Sequence, residues 1–204
     1  MTPDDEVGDE ILAAWQAKDP NAFRMLFRAY RALVYGVLRN LLGRDSELED
    51  VVQTSFLEVF RSLDSFEGRS KLSSWVARVA LHTGYHHLRR CKSRPSDYCT
   101  EPVGDYRDER ALADPDGYVD GREVAARVRE LLALLPPKKR DVFILNDLQG
   151  LPQEEVAEIV GASIATVRTR LFYARKDFWK RAERDAVLAD FATTHRPSAA
   201  VGDG

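Results

Sequence analysis

The chain has 204 residues, of which 44% are hydrophobic and 31% charged, and its 30 Lys+Arg against 33 Asp+Glu give a formal net charge of −3. That apolar content suffices for a folded core, and no apolar run approaches the ~18–20 residues that span a bilayer, so composition excludes a disordered or membrane-inserted chain. Cys91 and Cys99 make no disulfide framework, and the acidic start MTPDDEVGDE lacks the pattern of a secretory signal, so a reducing cytoplasm is the expected location.

In chain order, the periodicity predicts an all-α protein. Residues 1–17 read as an acidic leader with a short helix. Asp19-Pro20 offers a helix start, after which Phe23, Leu26, Phe27, Tyr30, Val34, Val37, Leu38 and Leu41 recur at three- and four-residue steps until Gly43. Ser46-Glu47-Leu48-Glu49 reads as a capping box, opening a helix with Val51, Val52, Ser55, Phe56, Val59 and Phe60 turned inward. A loop through Gly68 leads to a long helix from Leu72 to Arg90. These elements make a first domain over residues 18–94. Residues 95–122, rich in Pro, Gly, Asp and Glu, read as a flexible acidic linker. The second domain, residues 123–188, resumes with Val124, Val128, Leu131, Leu132 and Leu135, breaks at Pro136-Pro137, and continues to Gly150. Helices over 153–160 and 164–188 follow, then a polar tail, 189–204. The expected architecture is two small helical domains on a flexible linker.

Net charge hides a strong segregation. Residues 1–10 carry five acids and no base, whereas Gly68 to Arg94 carry seven bases and no acid. Ser163 to Arg184 carry seven bases against Asp177 and Glu183, and the stretch between the basic segments is acidic. Such a distribution is a footprint of polyanion contact, although a solvated helix face produces it too.

The sharper signal is Leu151 to Leu171. Ala157 is small where two helices must cross closely, Gly161 can supply a left-handed turn, and Ser163 is placed to cap the next helix. Val167 and Leu171 lock that helix inward, leaving Thr166, Arg168, Thr169 and Arg170 to face outward. This is a helix-turn-helix pattern, whose second helix enters the major groove. Arginine reaches phosphates or a guanine edge, and threonine bonds phosphate or base.

The blocks Leu134-Leu-Pro-Pro-Lys-Lys-Arg-Asp-Val-Phe, Gly150-Leu-Pro-Gln-Glu-Glu-Val-Ala-Glu-Ile and Thr166-Val-Arg-Thr-Arg-Leu-Phe-Tyr-Ala-Arg-Lys resemble region 4 of the sigma-70 family. Independently, Asp19-Pro-Asn-Ala-Phe, Glu49-Asp-Val-Val-Gln-Thr-Ser-Phe, Phe66-Glu-Gly and Leu72-Ser-Ser-Trp-Val-Ala-Arg-Val-Ala resemble region 2. The order and spacing are similar to those of the extracytoplasmic-function (ECF, group 4) sigma factors.

The resemblance implies a sigma factor that binds bacterial core RNA polymerase and directs promoter recognition, melting and initiation, with no catalytic site and no cofactor. Asp50, Gln53, Thr54 and Leu57 would dock on the β′ clamp helices. Phe66, Glu67, Gly68, Arg69, Ser70 and Lys71, with Arg78, His82, His86, Arg89 and Arg90, would engage the −10 element, where an extruded base needs stacking and edge contacts. Ser163, Thr166, Arg168, Thr169, Arg170, Tyr173, Arg175 and Lys176 would face the −35 element, and the start of region 4 would meet the β flap. An anti-sigma factor is the expected regulator. Trp75 reads as a core residue. Pro152, His82 and Tyr173 depart from residues common in the family, which leaves the promoter sequence open.

Three other readings compete. A stand-alone homodimeric helix-turn-helix regulator would not use the second basic helix or the Phe66–Lys71 loop. His82 and His86 with Cys91 invite a zinc site, but the segment is basic and has no carboxylate, so no metal is expected. A hydrolase built from His82, His86, Glu49, Asp50 and Glu58 lacks any HExxH or nucleophile constellation.

Overall fold

The computed structural model describes residues 3–43, 46–93, 121–189 and 192–193. Every regular element among them is helical. The expected linker, apart from its last two residues, Cys99 and most of the tail lie outside the described residues.

The first unit comprises α1 (Pro3–Gln16), α2 (Ala22–Leu42), α3 (Leu48–Ser62), a 3-10 turn over Leu63–Ser65, and α4 (Leu72–Lys92). Helix α2 buries the expected stripe from Leu26 through Leu41. It starts two residues later than Asp19-Pro20 suggests. Asp19 Oδ1 accepts from the backbone N–H and side-chain amide of Asn21 at 2.8 and 3.0 Å, and this turn makes Asn21 the cap residue. The capping box at Ser46 is likewise not formed. Glu47 is the cap residue of α3 and makes no side-chain cap bond, while its Oε2 lies 3.0 Å from Arg90 Nη2.

Helix α1 is part of this unit, lying on α2 and α4. Ile11 is buried, and Trp15 Nε1 donates to Asp64 Oδ1 at 2.6 Å. The acidic start is therefore built into the fold from Pro3 onward. Phe60 corrects the inward reading of α3: it is 41% exposed, with the Trp15 and Phe23 rings edge-on at 4.9 and 5.4 Å.

Helix α4 is the centre of the unit. At Gly84 it comes so near α2 that a Cβ would meet the Leu41 and Leu38 side chains at 2.6 and 2.9 Å. Leu72, Val76, Ala77, Ala80 and Leu81 face the core, each large one contributing about 1.5–3 kcal/mol by leaving water.

The second unit comprises α5 (Gly121–Ala133), α6 (Pro137–Phe143), a π-helical turn over Ile144–Leu148, α7 (Gln153–Val160) and α8 (Ile164–Ala182). Pro137 starts α6, where its missing N–H costs nothing. Val142, Ile144, Leu145, Val156, Val167, Leu171, Ala174 and Phe178 make its core. After α8 the chain turns rather than continuing to 188 as a helix. Asp185, buried, accepts from Val187 N and Leu188 N at 3.0 and 3.2 Å and from Arg127 Nε at 2.5 Å, tying this turn to α5.

The two units pack directly on one another, α4 against α7 and α2 against α5 and the π turn, around one continuous apolar core. A side chain at Gly36 would run into the Gln149 amide. Tyr85 on α4 donates to Asp141 Oδ1 on α6, and Arg140 Nη2 donates to the Tyr85 hydroxyl at 3.3 Å.

Two predictions follow from this packing. Asp185→Ala strands buried donors and should lower stability by about 1–3 kcal/mol in urea unfolding. Burial, then the Asp141 charge, pushes the Tyr85 phenol up from 10.0 to about 12. Because the folded value is the higher one, this contribution to stability is complete below pH 10 and is lost as pH rises through 12. In a tyrosinate absorbance titration, Tyr85→Phe should therefore remove the amplitude of one phenol from the late part of the curve, near pH 12, and leave the early part unchanged.

Candidate nucleic-acid interface

The helix-turn-helix forms as its residues require. Gly161 takes φ 62° and ψ 47°, the left-handed region, and ends α7 while Ala162 N donates to Ala157 O at 3.0 Å. Ala157 is buried at the crossing. Ser163 Oγ accepts from Thr166 N at 3.2 Å and fixes the first turn of α8.

With Val167, Leu171, Ala174 and Phe178 buried, the opposite face of α8 is exposed. Arg168, Thr169 and Lys176 stand there, exposed. Phe172, 62% exposed, lies three residues after Thr169 and four after Arg168 and completes this face. The sequence reading missed it, although helical spacing was the available signal. Arg168 Nε is braced by Gln153 Oε1 at 3.2 Å, which orients the guanidinium from the start of α7. Thr166 and Arg170 are half-buried on the flank, where Lys139 sits 5.4 Å above the Tyr173 ring.

Arg175 is placed differently from the other basic residues of α8. Its Nε lies 3.0 and 3.1 Å from the two Asp147 carboxylate oxygens, and its Nη2 reaches Asp147 Oδ1 at 2.5 Å and Asn146 Oδ1 at 3.0 Å. This guanidinium pins α8 to the π turn.

The second basic region is a loop and the α4 face behind it. Phe66 is half-buried with its ring 5.4 Å from that of Trp75, which is itself partly exposed rather than fully in the core. Gly68 adopts φ 68°, and Glu67 and Arg69 pair at 2.7 Å on either side of it. Ser70 is half-buried, and His82, His86 and Arg89 are exposed along α4. Arg90 is exposed and turned toward Glu47. Cys91 Sγ lies 3.4 Å from Nε2 of the buried His87, a histidine outside the His82–His86 pair weighed as metal ligands.

Lys71 and Arg78 are already engaged across the domain boundary. Lys71 Nζ lies 2.9 Å from Glu155 Oε1, and Ser74 Oγ lies 3.3 Å from Glu155 Oε2. Arg78 donates from Nε to Ile159 O at 3.2 Å and from Nη2 to Glu158 O. These carbonyls carry the negative end of the α7 dipole, Glu158 O accepting also from Gly161 N at 3.4 Å, so the guanidinium caps the helix. Ser74 and Tyr85 share this side of α4 and escaped the sequence reading, because their partners lie more than fifty residues away.

A third surface is the outer face of α3. Asp50, Gln53, Thr54 and Leu57 are all exposed there, Leu57 by 49%. The exposed rings of Phe23 and Phe60 belong to the same unit. Exposed apolar groups are more informative than the polar ones, since the latter suit water equally well.

Comparison with known proteins matches this division. The chain matches "Sigma-70 region 2" over residues 26–94 and "Sigma-70, region 4" over residues 125–178. It is 32% identical over 166 residues to the ECF RNA polymerase sigma-E factor of Haemophilus influenzae, covering 79% of this chain and 87% of that one. In fold it is similar to CnrH in complex with the cytosolic domain of CnrY, with a TM-score of 0.68 and 21% identity over 88% of this chain and 99% of that one. It is also similar to the sigma factor RpoE in complex with the anti-sigma factor NepR from Bartonella quintana, at a TM-score of 0.62 and 22% identity, covering 81% and 99% of the two chains. The helix-turn-helix and the region 2 bundle thus sit on one chain in the family's order, and the protein belongs to the sigma-70 family as an ECF sigma factor, which directs RNA polymerase to promoters and is not an enzyme.

Proposed function

We propose that α8 reads the −35 duplex, that the Phe66–Lys71 loop with α4 engages the −10 strand, and that the α3 face docks on the β′ clamp helices of core polymerase. The observation that carries the reading is the outer face of α8. Ser163 fixes the helix start, and Arg168, Thr169 and Lys176 stand exposed on one side of it. The N-terminal turns of a recognition helix are the part that meets base edges in the major groove. Arg168 and Thr169 contact bases, and Lys176, two turns on, contacts phosphate. Ser163, Thr166, Arg170 and Tyr173 line the flank, while Arg175 holds the helix in place.

On α4, His82, His86 and Arg89 are open to an unpaired strand, and Phe66 beside Trp75 offers a ring on which a base can stack. Leu57 supplies an apolar anchor within a polar surround, the composition of a protein-docking patch. The start of region 4 meets the β flap. A protein inhibitor is proposed by analogy with the RpoE complex, in which NepR is an anti-sigma factor. The same α3 patch is the surface such a partner would cover to exclude polymerase. A stand-alone homodimeric regulator would leave region 2 without a role.

Run-off transcription with purified core polymerase on genomic fragments should yield discrete start sites that depend on this chain, and their mapping gives the promoter. Failure to start transcription or to co-elute with core would overturn the reading. On the mapped −35 duplex, Arg168→Ala and Thr169→Ala should each cost about 1–3 kcal/mol and relax specificity at one position. Lys176→Ala should weaken all sequences alike and reduce the salt slope by about 1. Leu57→Asp should weaken core binding by about 2 kcal/mol or more in a co-elution titration, leaving −35 affinity unchanged.

A further inference from the structure

We propose that Cys91 is a reactive thiol, activated by His87 and Glu47, which forms a mixed disulfide with an anionic low-molecular-weight disulfide and so weakens the hold of α4 on the −10 strand. The effect on the strand rests on the assignment of α4 to the −10 element; the chemistry of the thiol does not. Cys91 stands in the last turn of α4, one turn after His87. Nε2 of His87 lies 3.4 Å from Cys91 Sγ, and its Nδ1 lies 3.6 Å from Glu47 Oε2. Nucleophile, base and orienting carboxylate thus follow one another in the order by which a histidine activates a thiol. Arg90 Nη2 lies 3.0 Å from the same Glu47 oxygen, which steadies the carboxylate. Burial is divided as the chemistry needs. His87 is 3% exposed and shielded from water, whereas Cys91 is only half-buried and within reach of a small reagent.

Glu47 is the cap residue of α3, yet its carboxylate makes no cap bond and is turned to the end of α4 instead. His86, Arg89 and Arg90 are exposed on that end of α4. Basic neighbours stabilise a thiolate and draw an anionic reagent toward it. His87 Nε2 takes the thiol proton as Sγ attacks one sulfur of the reagent. The Sγ–S bond forms, the S–S bond of the reagent breaks, and the departing sulfur leaves as a thiol with the proton from His87. One disulfide is exchanged for another, so no further oxidant is required. The adduct sets an anionic group within two residues of Arg89 and Arg90, where it opposes a strand phosphate.

The test uses the full chain with Cys99→Ser, which leaves one thiol to follow, and oxidised glutathione, the disulfide of an acidic tripeptide. Adduct formation, read by intact mass, should be about tenfold faster in the folded chain than in the same chain unfolded in urea. His87→Gln should slow the folded chain about tenfold, and Glu47→Gln should slow it in the same direction. A role for these side chains in packing alone has the opposite sign, because loosening the end of α4 exposes Cys91 and speeds its reaction. If His87→Gln unfolds, Glu47→Gln decides, at a side chain 28% exposed. A folded rate no higher than the unfolded one, or no slowing in the folded variants, overturns the proposal. On a labelled single strand carrying the mapped −10 element, the adduct should weaken binding about tenfold and a reductant should restore it, with −35 duplex binding constant. Cys91→Ser should bind the strand equally with and without oxidised glutathione. Equal strand affinity of the reduced and modified chains overturns the link to the strand. Absence of strand binding by the unmodified chain, with start sites still mapped, overturns instead the assignment of α4, and the thiol then stands or falls on its rates.

Discussion

The missing side chain at Gly84 sets the geometry from which the other surfaces take their places. It leaves room against α4 for the Leu38 and Leu41 side chains of α2, whose methyl groups occupy the space a Cβ would take. With that face fixed, Val76, Ala77, Ala80 and Leu81 are committed to the core. The opposite side of the same helix must then carry Lys71, Arg78, His82 and Arg89. One helix thus has an apolar face that holds the first unit together and a basic face that meets α7 at Lys71 and Arg78 and is exposed at His82 and Arg89. Helices α1, α2, α3 and α7 all rest on it.

Charge follows the same logic in the second unit. Basic residues on α8 are many, but their surroundings sort them. Arg175 is consumed by Asp147 and Asn146, and Arg168 is oriented by Gln153, while Lys176 remains exposed. A guanidinium with a bidentate carboxylate partner is a poor candidate for DNA, because releasing it breaks several charge-assisted bonds at once. A net charge of −3 averages over all of this and is silent on it. On the proposed reading, DNA contact is local and salt-sensitive, since it rests on a few exposed basic groups rather than on the charge of the whole chain.

Much of the fold was legible because it is local. Ala157, Gly161 and Ser163 define the helix-turn-helix within seven residues, and each takes the expected role. The stripe on α2 and the break at Pro136-Pro137 are local as well. Helix starts were less secure. At Asp19 an Asx turn competed with the capping geometry, and at Ser46 the box gave way to Glu47, drawn toward Arg90 across the bundle. Phe60 fits an inward position by spacing alone. Its place at the edge depends on α1, whose Trp15 ring stands against it.

The sequence by itself determined the helical class, the two blocks with their family, the cap and turn of the helix-turn-helix, and the outward place of Arg168 and Thr169 on α8. Each of these depends on residues a few positions apart, where backbone geometry ties spacing to direction. The tertiary structure alone decided that Arg78 caps α7, that Lys71 and Ser74 converge on Glu155, that Tyr85 joins Asp141, and that Arg175 serves the fold. The reason is physical. An exposed arginine or lysine suits phosphate, carboxylate and carbonyl alike, and which one it meets is set by the packing of helices remote in sequence.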